Sequence, residues 1–170
     1  MMGQIGRGVI LAVGLAGGTL FSQAPEFAQQ YRQRIGGAVD ELRIIVDDFT
    51  KQAADHHLDR QQALDVYARS PDDFLRDRGL SMRGTLERYE RLVTQQSDLG
   101  RAAPVAKPCI LMRNADDGIL ASTWQDFVPG VPVSFAGFAW AAIGFVGGWI
   151  VAALLGVGAK RAVQWRPGYR

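Results

Sequence analysis

Two uninterrupted apolar blocks sit near the ends of this 170-residue chain, and between them apolar positions recur every three or four residues. The second block, residues 133–159, holds no charge, no proline and one hydroxyl, Ser134. As a helix rising 1.5 Å per residue it reaches roughly 40 Å, enough to cross a hydrocarbon core of about 30 Å. Lys160, Arg161, Arg166 and Arg170 follow it with no acid among them, the pattern of a span whose C-terminal end stays in the cytoplasm. The competing reading is a core helix of a soluble protein, but such helices are shorter and carry a polar stripe. The first block, residues 9–25, is weaker, because Arg7 and Glu26 bracket only about 18 residues, near the lower limit for a span. It reads as an uncleaved first span or as a signal peptide with Ser22, Gln23 and Ala24 as the cleavage site. Pro25 would then open the mature chain, a poor position for processing, so the uncleaved span is the expectation.

Between the blocks the periodicity is helical. Phe27, Tyr31, Ile35, Ala38, Leu42, Ile45, Phe49 and Gln52 or Ala53 trace a heptad-like, coiled-coil-type seam through a helix over 26–57. Gly36 and Gly37 interrupt it, at a cost of about 1–2 kcal/mol relative to alanine, which predicts a bend or a close helix contact. Asp55, His56, His57, Leu58 and Asp59 form a turn, and Asp59 with Gln62 makes a capping box for a short helix over 60–69. Ser70, Pro71, Asp72 and Asp73 start a third helix running to residue 99, with Gly79 as its weak point. Its seam is Leu75, Met82, Leu86, Tyr89, Val93 and Gln96. The first and third helices are expected to pair as an antiparallel hairpin with 60–69 near its tip. A linker over 100–108, an apolar patch over 109–112 and a short helix over 116–127 lead through Pro129 and Pro132 to the second span.

Small residues recur within both spans. Gly14, Gly18 and Ser22 share one helix face, as do Gly144, Gly148, Ala152 and Gly156. Such stripes let backbones approach closely in a membrane. Either the two spans pack on each other, or the longer groove of the second receives a partner or another copy. Trp124, Trp149, Lys160, Arg161, Trp165 and Arg166 are the candidate membrane anchors, with aromatic rings and basic groups suited to an interface.

Charge sharpens this division. All 17 acidic residues lie between Glu26 and Asp126, facing 14 basic ones, so the basic balance of the chain comes from its membrane-flanking ends and gives no nucleic-acid surface. The positive C-terminal tail predicts both termini in the cytoplasm and the middle outside it, which is the periplasm if the membrane is a Gram-negative inner membrane. Candidate chemistry is sparse. Cys109 is the single cysteine. His56 and His57 are adjacent and diverge by about 100° on a helix, a poor chelate. The acid pairs Asp72 with Asp73 and Asp116 with Asp117 sit at helix starts, where they favour the dipole. No phosphate-binding glycine loop, nucleophile turn or ionisable group inside a span is present. The expectation is a non-enzymatic protein without cofactor or metal; an enzyme or transporter subunit would need polar residues converging in a pocket.

The segments SQAPEFAQQYRQRIGGAVDEL (22–42), RYERL (88–92) and DFVPGVPVS (126–134) resemble a proteobacterial domain-of-unknown-function family, number 2937, over nearly the whole chain. The resemblance implies a small, uncleaved, two-span inner-membrane protein and brings no activity or site residue with it. The fold expected is an all-α membrane protein, with spans at 1–25 and 133–159, a periplasmic helical hairpin at 26–132 and a basic tail at 160–170. The function expected is an accessory or scaffold protein, in contact with lipids and binding a larger membrane complex. Gln29, Gln30, Tyr31, Arg32 and Arg34 are the candidate polar contact above the membrane. The alternative is a self-assembling membrane-shaping or envelope-stress protein.

Overall fold

The computed structural model describes residues 4–131 and 133–164, with side chains described at 6–131 and 133–156. The helices are α1 (Gln4–Ser22), α2 (Ala24–Asp55), α3 (Arg60–Ala68), α4 (Asp73–Arg101), α5 (Lys107–Asn114), α6 (Asp117–Gln125) and α7 (Phe135–Gln164), and the described residues include no strand. They group into two compact units. One comprises Met1–Gln29, Ala103–Cys109 and Asp126–Arg170; the other comprises Gln30–Ala102 and Ile110–Gln125.

In the first unit α1 and α7 lie antiparallel with their backbones in contact. Val13 faces Gly148, Gly17 faces Gly144 and Gly18 faces Ala141, while the Phe21 ring stacks on Trp140 at 6.2 Å. A Cβ built on Gly17 would stand 2.5 Å from the Gly144 carbonyl oxygen, and one on Gly148 would stand 2.8 Å from that of Val13. One on Gly144 would collide with the Gly17 carbonyl oxygen. Only glycine permits this approach. The break between α1 and α2 falls at Gln23, two residues before Pro25, whose ring excludes the Phe21 carbonyl that a continuous helix would direct at it. Ser134 caps α7, its Oγ accepting from the Gly137 N–H at 3.1 Å.

Two helical stretches, Gly6–Asp55 and Phe135–Gly156, are long and apolar enough to cross a membrane. The apolar part of the first is α1. Large apolar side chains on both helices stay uncovered by protein, Leu20 at 71% exposure and Leu155 at 70% among them.

In the second unit Val46, Phe49 and Ala53 of α2, Ala63 and Leu64 of α3, and Leu86 of α4 form one core, with Leu58, Tyr67, Met82 and Tyr89 packed against it. The capping box of α3 is present as read from the sequence, Asp59 accepting from the Gln62 N–H at 2.8 Å and Gln62 from the Asp59 N–H at 2.9 Å. The histidine pair belongs to the end of α2. His57 takes φ 59, with its N–H on Ala54 and that of Leu58 on Ala53, a left-handed helix stop in which the Leu58 side chain folds onto the core.

Several sequence expectations shift. α2 runs unbroken through Gly36 and Gly37; Gly36 meets only the Gln96 side chain, and a Cβ on Gly37 would meet nothing within 4 Å. Its buried face is Tyr31, Ile35, Val39, Val46, Phe49 and Ala53, so Ala38 and Ile45 give way to their neighbours Val39 and Val46. α4 is also unbroken at Gly79, because the missing side chain there is the space into which Tyr67 of α3 packs. Beyond Leu86 its buried face becomes Leu92, Gln95 and Leu99 in place of Val93 and Gln96. The patch at 109–112 is helical, within α5.

Gly144→Leu is expected to lower the thermal midpoint of the full chain in mild detergent, since overpacking of this kind costs about 1–3 kcal/mol. Gly147→Leu, at a site where a Cβ meets nothing within 4 Å, gives the same gain in helix propensity and should leave the midpoint unchanged or raised. Equal midpoints for the two variants would show that the backbone contact does not hold the pair together.

Candidate functional site

The small residues picked out in the spans mostly serve the pairing of α1 with α7. A Cβ on Gly14 would touch the Phe145 ring at 3.0 Å, and one on Gly18 the Ala141 carbonyl oxygen at 3.1 Å. Gly144 and Gly148 face Gly17 and Val13, and Ala152 is buried, while a Cβ on Gly156 would meet nothing within 4 Å. The groove expected to receive a partner is therefore occupied by α1 at Gly144 and Gly148. Gly17, absent from the sequence reading, makes the closest approach on the α1 side.

Two recesses border this pair. An apolar groove of about 610 Å³ lies along Leu15, Gly18, Phe138, Ala142 and Val146. A smaller recess of about 250 Å³ takes in Glu26, Gln29, Lys107, Ser134 and Gly137, and the two share Ser22, Gly130 and Val131 as walls. The Gln23 side chain holds this region together: its Oε1 accepts from the Gly130 N–H at 3.0 Å and its Nε2 donates to Ser22 at 3.1 Å. The Trp140 indole N–H donates to the Val105 carbonyl at 2.8 Å, fixing the segment before α5 against α7.

Tyr31 was read both as a seam residue of α2 and as a partner contact; it is fully buried, as the seam requires, which corrects the second reading, and its polar end is used internally. Its hydroxyl donates to Gln95 Oε1 at 3.1 Å and accepts the Asp116 N–H at 2.8 Å. Gln95 Nε2 donates in turn to the Asn114 carbonyl, and the Asp116 carboxylate accepts from the Ile119 N–H at 3.0 Å and from Arg88 at 3.3 Å. Tyr31 of α2 and Gln95 of α4 thus clamp the turn between α5 and α6, with every polar atom of the phenol used. Burial pushes the Tyr31 phenol above its ordinary value of 10.0, so it stays neutral and is no base. Beside it lies an open depression of about 510 Å³ whose charges, Glu90, Arg91, Asp98 and Asp116, are of mixed sign.

The other contact candidates are dispersed. Gln29 lines the small recess, and Gln30, Arg32 and Arg34 are half-buried on α2; Arg32 Nε is buried without a hydrogen-bond partner among the described residues. Trp124 is exposed on α6. Trp149 stands at the midpoint of α7, half exposed, and the indole N–H of Trp140, nearer the helix start, donates to the Val105 carbonyl. Trp165 and Arg166, and the side chains of Lys160 and Arg161, lie outside the described residues. Cys109 is exposed, and no group of three potential metal ligands occurs among the described residues.

Tyr31→Phe is expected to cost about 1–3 kcal/mol in denaturant unfolding of the full chain, since it strands the Asp116 N–H and the Gln95 carbonyl oxygen. The pH dependence follows from the raised phenol. The native state holds its proton more tightly than the unfolded chain, so the stability Tyr31 contributes is complete below pH 10 and is lost as pH rises through its native pKa. The gap between wild type and Tyr31→Phe should be constant up to about pH 10 and narrow above it. A gap that widens with pH would contradict the assignment.

No curated protein and no solved structure matches the chain. A family described as "Protein of unknown function (DUF2937)" matches residues 5–164, which include every described helix except the first residue of α1. The chain belongs to the DUF2937 family.

Proposed function

We propose that this protein is an accessory or scaffold protein of the bacterial inner membrane. α1 and α7 are its two spans, and the polar helices between them bind a larger membrane complex. The observation that carries the reading is the apolar surface of the two terminal helices: Phe135, Leu154 and Leu155 on α7 and Leu15 and Leu20 on α1 are more than half exposed, and lipid is the medium that would cover them. In this reading α2 and α4 are the arms of an antiparallel hairpin in the periplasm, supported by the Tyr31–Gln95 bond and by the core that Val46 and Phe49 share with Leu86. The partner surface would be the exposed apolar side chains of α3 and α4, Val66, Phe74 and Leu80.

The test is purification of tagged full-length protein in native nanodiscs with mass measurement, after carbonate washing has established that it stays in the membrane. A complex of fixed stoichiometry with a foreign membrane protein, lost in Phe74→Ser with Leu80→Ser, is the expected outcome. A homo-oligomer alone would replace the proposal with self-assembly. The orientation is checked on Cys109, which is exposed and single. A membrane-impermeant maleimide should label it in cells with a permeabilised outer membrane and an intact inner one; labelling only after full lysis would place the middle of the chain in the cytoplasm.

A further inference from the structure

The two recesses beside the α1–α7 pair differ in chemistry and adjoin each other. The larger is apolar along the helices, from Leu15 and Val146 to Phe138. The smaller begins where α1 ends and α7 starts, and it carries Lys107 and Glu26. Lys107 makes no ion pair among the described residues. Its place is fixed, since Trp140 holds Val105 two residues before it and Pro108 after it is buried. An apolar channel along two spans, ending beside a cation at the helix ends, has the polarity order of a phospholipid.

We propose that this slot holds one phospholipid, an acyl chain in the groove and the phosphate against Lys107. The inference rests on the reading of α1 and α7 as membrane spans. Charge complementarity selects the headgroup. One ammonium balances one phosphate, so the fit is to a phospholipid whose headgroup adds no further net negative charge, and phosphatidylethanolamine is the probe of that class. The groove volume of about 610 Å³ falls in the usual range for a small-molecule site, roughly 300–1,000 Å³.

The experiment is native mass spectrometry of delipidated full-length protein in mild detergent, titrated with phosphatidylethanolamine, with diacylglycerol of the same chains, or with glycerophosphoethanolamine. Carbonate extraction is run beside it: protein released by carbonate defeats the membrane reading itself, whereas protein retained but bare of lipid defeats only the slot. One phosphatidylethanolamine per protomer is expected, with diacylglycerol about fivefold weaker. Lys107→Gln should weaken phosphatidylethanolamine by about fivefold and leave diacylglycerol unchanged, with Lys107→Arg restoring it. Ala142→Trp, which fills the groove from a position outside the α1 contact, should weaken both. Binding of the chain-free headgroup as tight as that of the lipid would overturn the proposal in favour of a phosphate site. Unchanged lipid binding in Lys107→Gln and Ala142→Trp would overturn it outright.

Discussion

The contact of the Gly17 backbone with that of Gly144 is the constraint on which the terminal half of the protein depends. In the proposed membrane setting no hydrophobic force would bring two apolar helices together, and their pairing would rest on close packing of backbone and side chains. Side-chain-free positions at Gly14, Gly17 and Gly18 on one helix and Gly144 and Gly148 on the other supply it. Once the pair is set, the end of α1 lies beside the beginning of α7. Gln23 can then reach Gly130, Phe21 can stack on Trp140, and Trp140 can hold Val105. The polar fastenings around the helix ends follow from the glycine contact.

The central unit solves a different problem. Its core of Val46, Phe49, Leu64 and Leu86 is small, and α5 and α6 add little apolar surface beyond Leu111 and Ile119. What positions those two short helices is polar: the buried Tyr31 hydroxyl and the Gln95 amide take hold of the turn between them. A buried hydrogen bond adds modest net stability, but an unmatched buried donor or acceptor is costly, so such a cluster selects one arrangement and penalises others. Tyr31 is therefore a specificity element of the fold.

The sequence revealed those features whose physics is local. An uncharged run of apolar residues marks a helix long and apolar enough to cross a membrane with no knowledge of its neighbours, and Asp59 with Gln62 marks the start of α3. The break at Gln23 follows from Pro25, and the end of α2 from the turn at His56 and His57. What escaped was set by distant partners. Spacing of four residues picked out Gly14 and Gly18 but passed over Gly17, because helix crossing uses steps of three as well as four. The seam placed Tyr31 on the buried face of α2, but the partner of its hydroxyl, Gln95, lies 64 positions along and no local pattern names it. Val93 and Gln96 continued the seam of α4 on paper, but the face that is buried is Leu92, Gln95 and Leu99, with Gln95 hydrogen-bonded to Asn114 at the end of α5. No regularity in the chain announces Lys107 beside the helix ends; the Trp140 bond to Val105 puts it there.

The pairing of α1 with α7 also redirects the search for a partner. A stripe of small residues reads as an invitation to another helix only while it is vacant, and here Gly144 and Gly148 are already filled by α1. A third helix arriving in the membrane would have to pack on faces bearing Phe135, Phe138, Ile143, Val146 and Trp149, bulky side chains that keep backbones apart. Lipid meets such faces at no penalty. The exposed Phe74, Leu80 and Val66 are different, because in the proposed orientation they face water, where uncovered apolar area is unfavourable by about 25 cal/mol per Å². By that comparison, the driving force for recruiting a protein partner is stronger on α3 and α4 than along the spans.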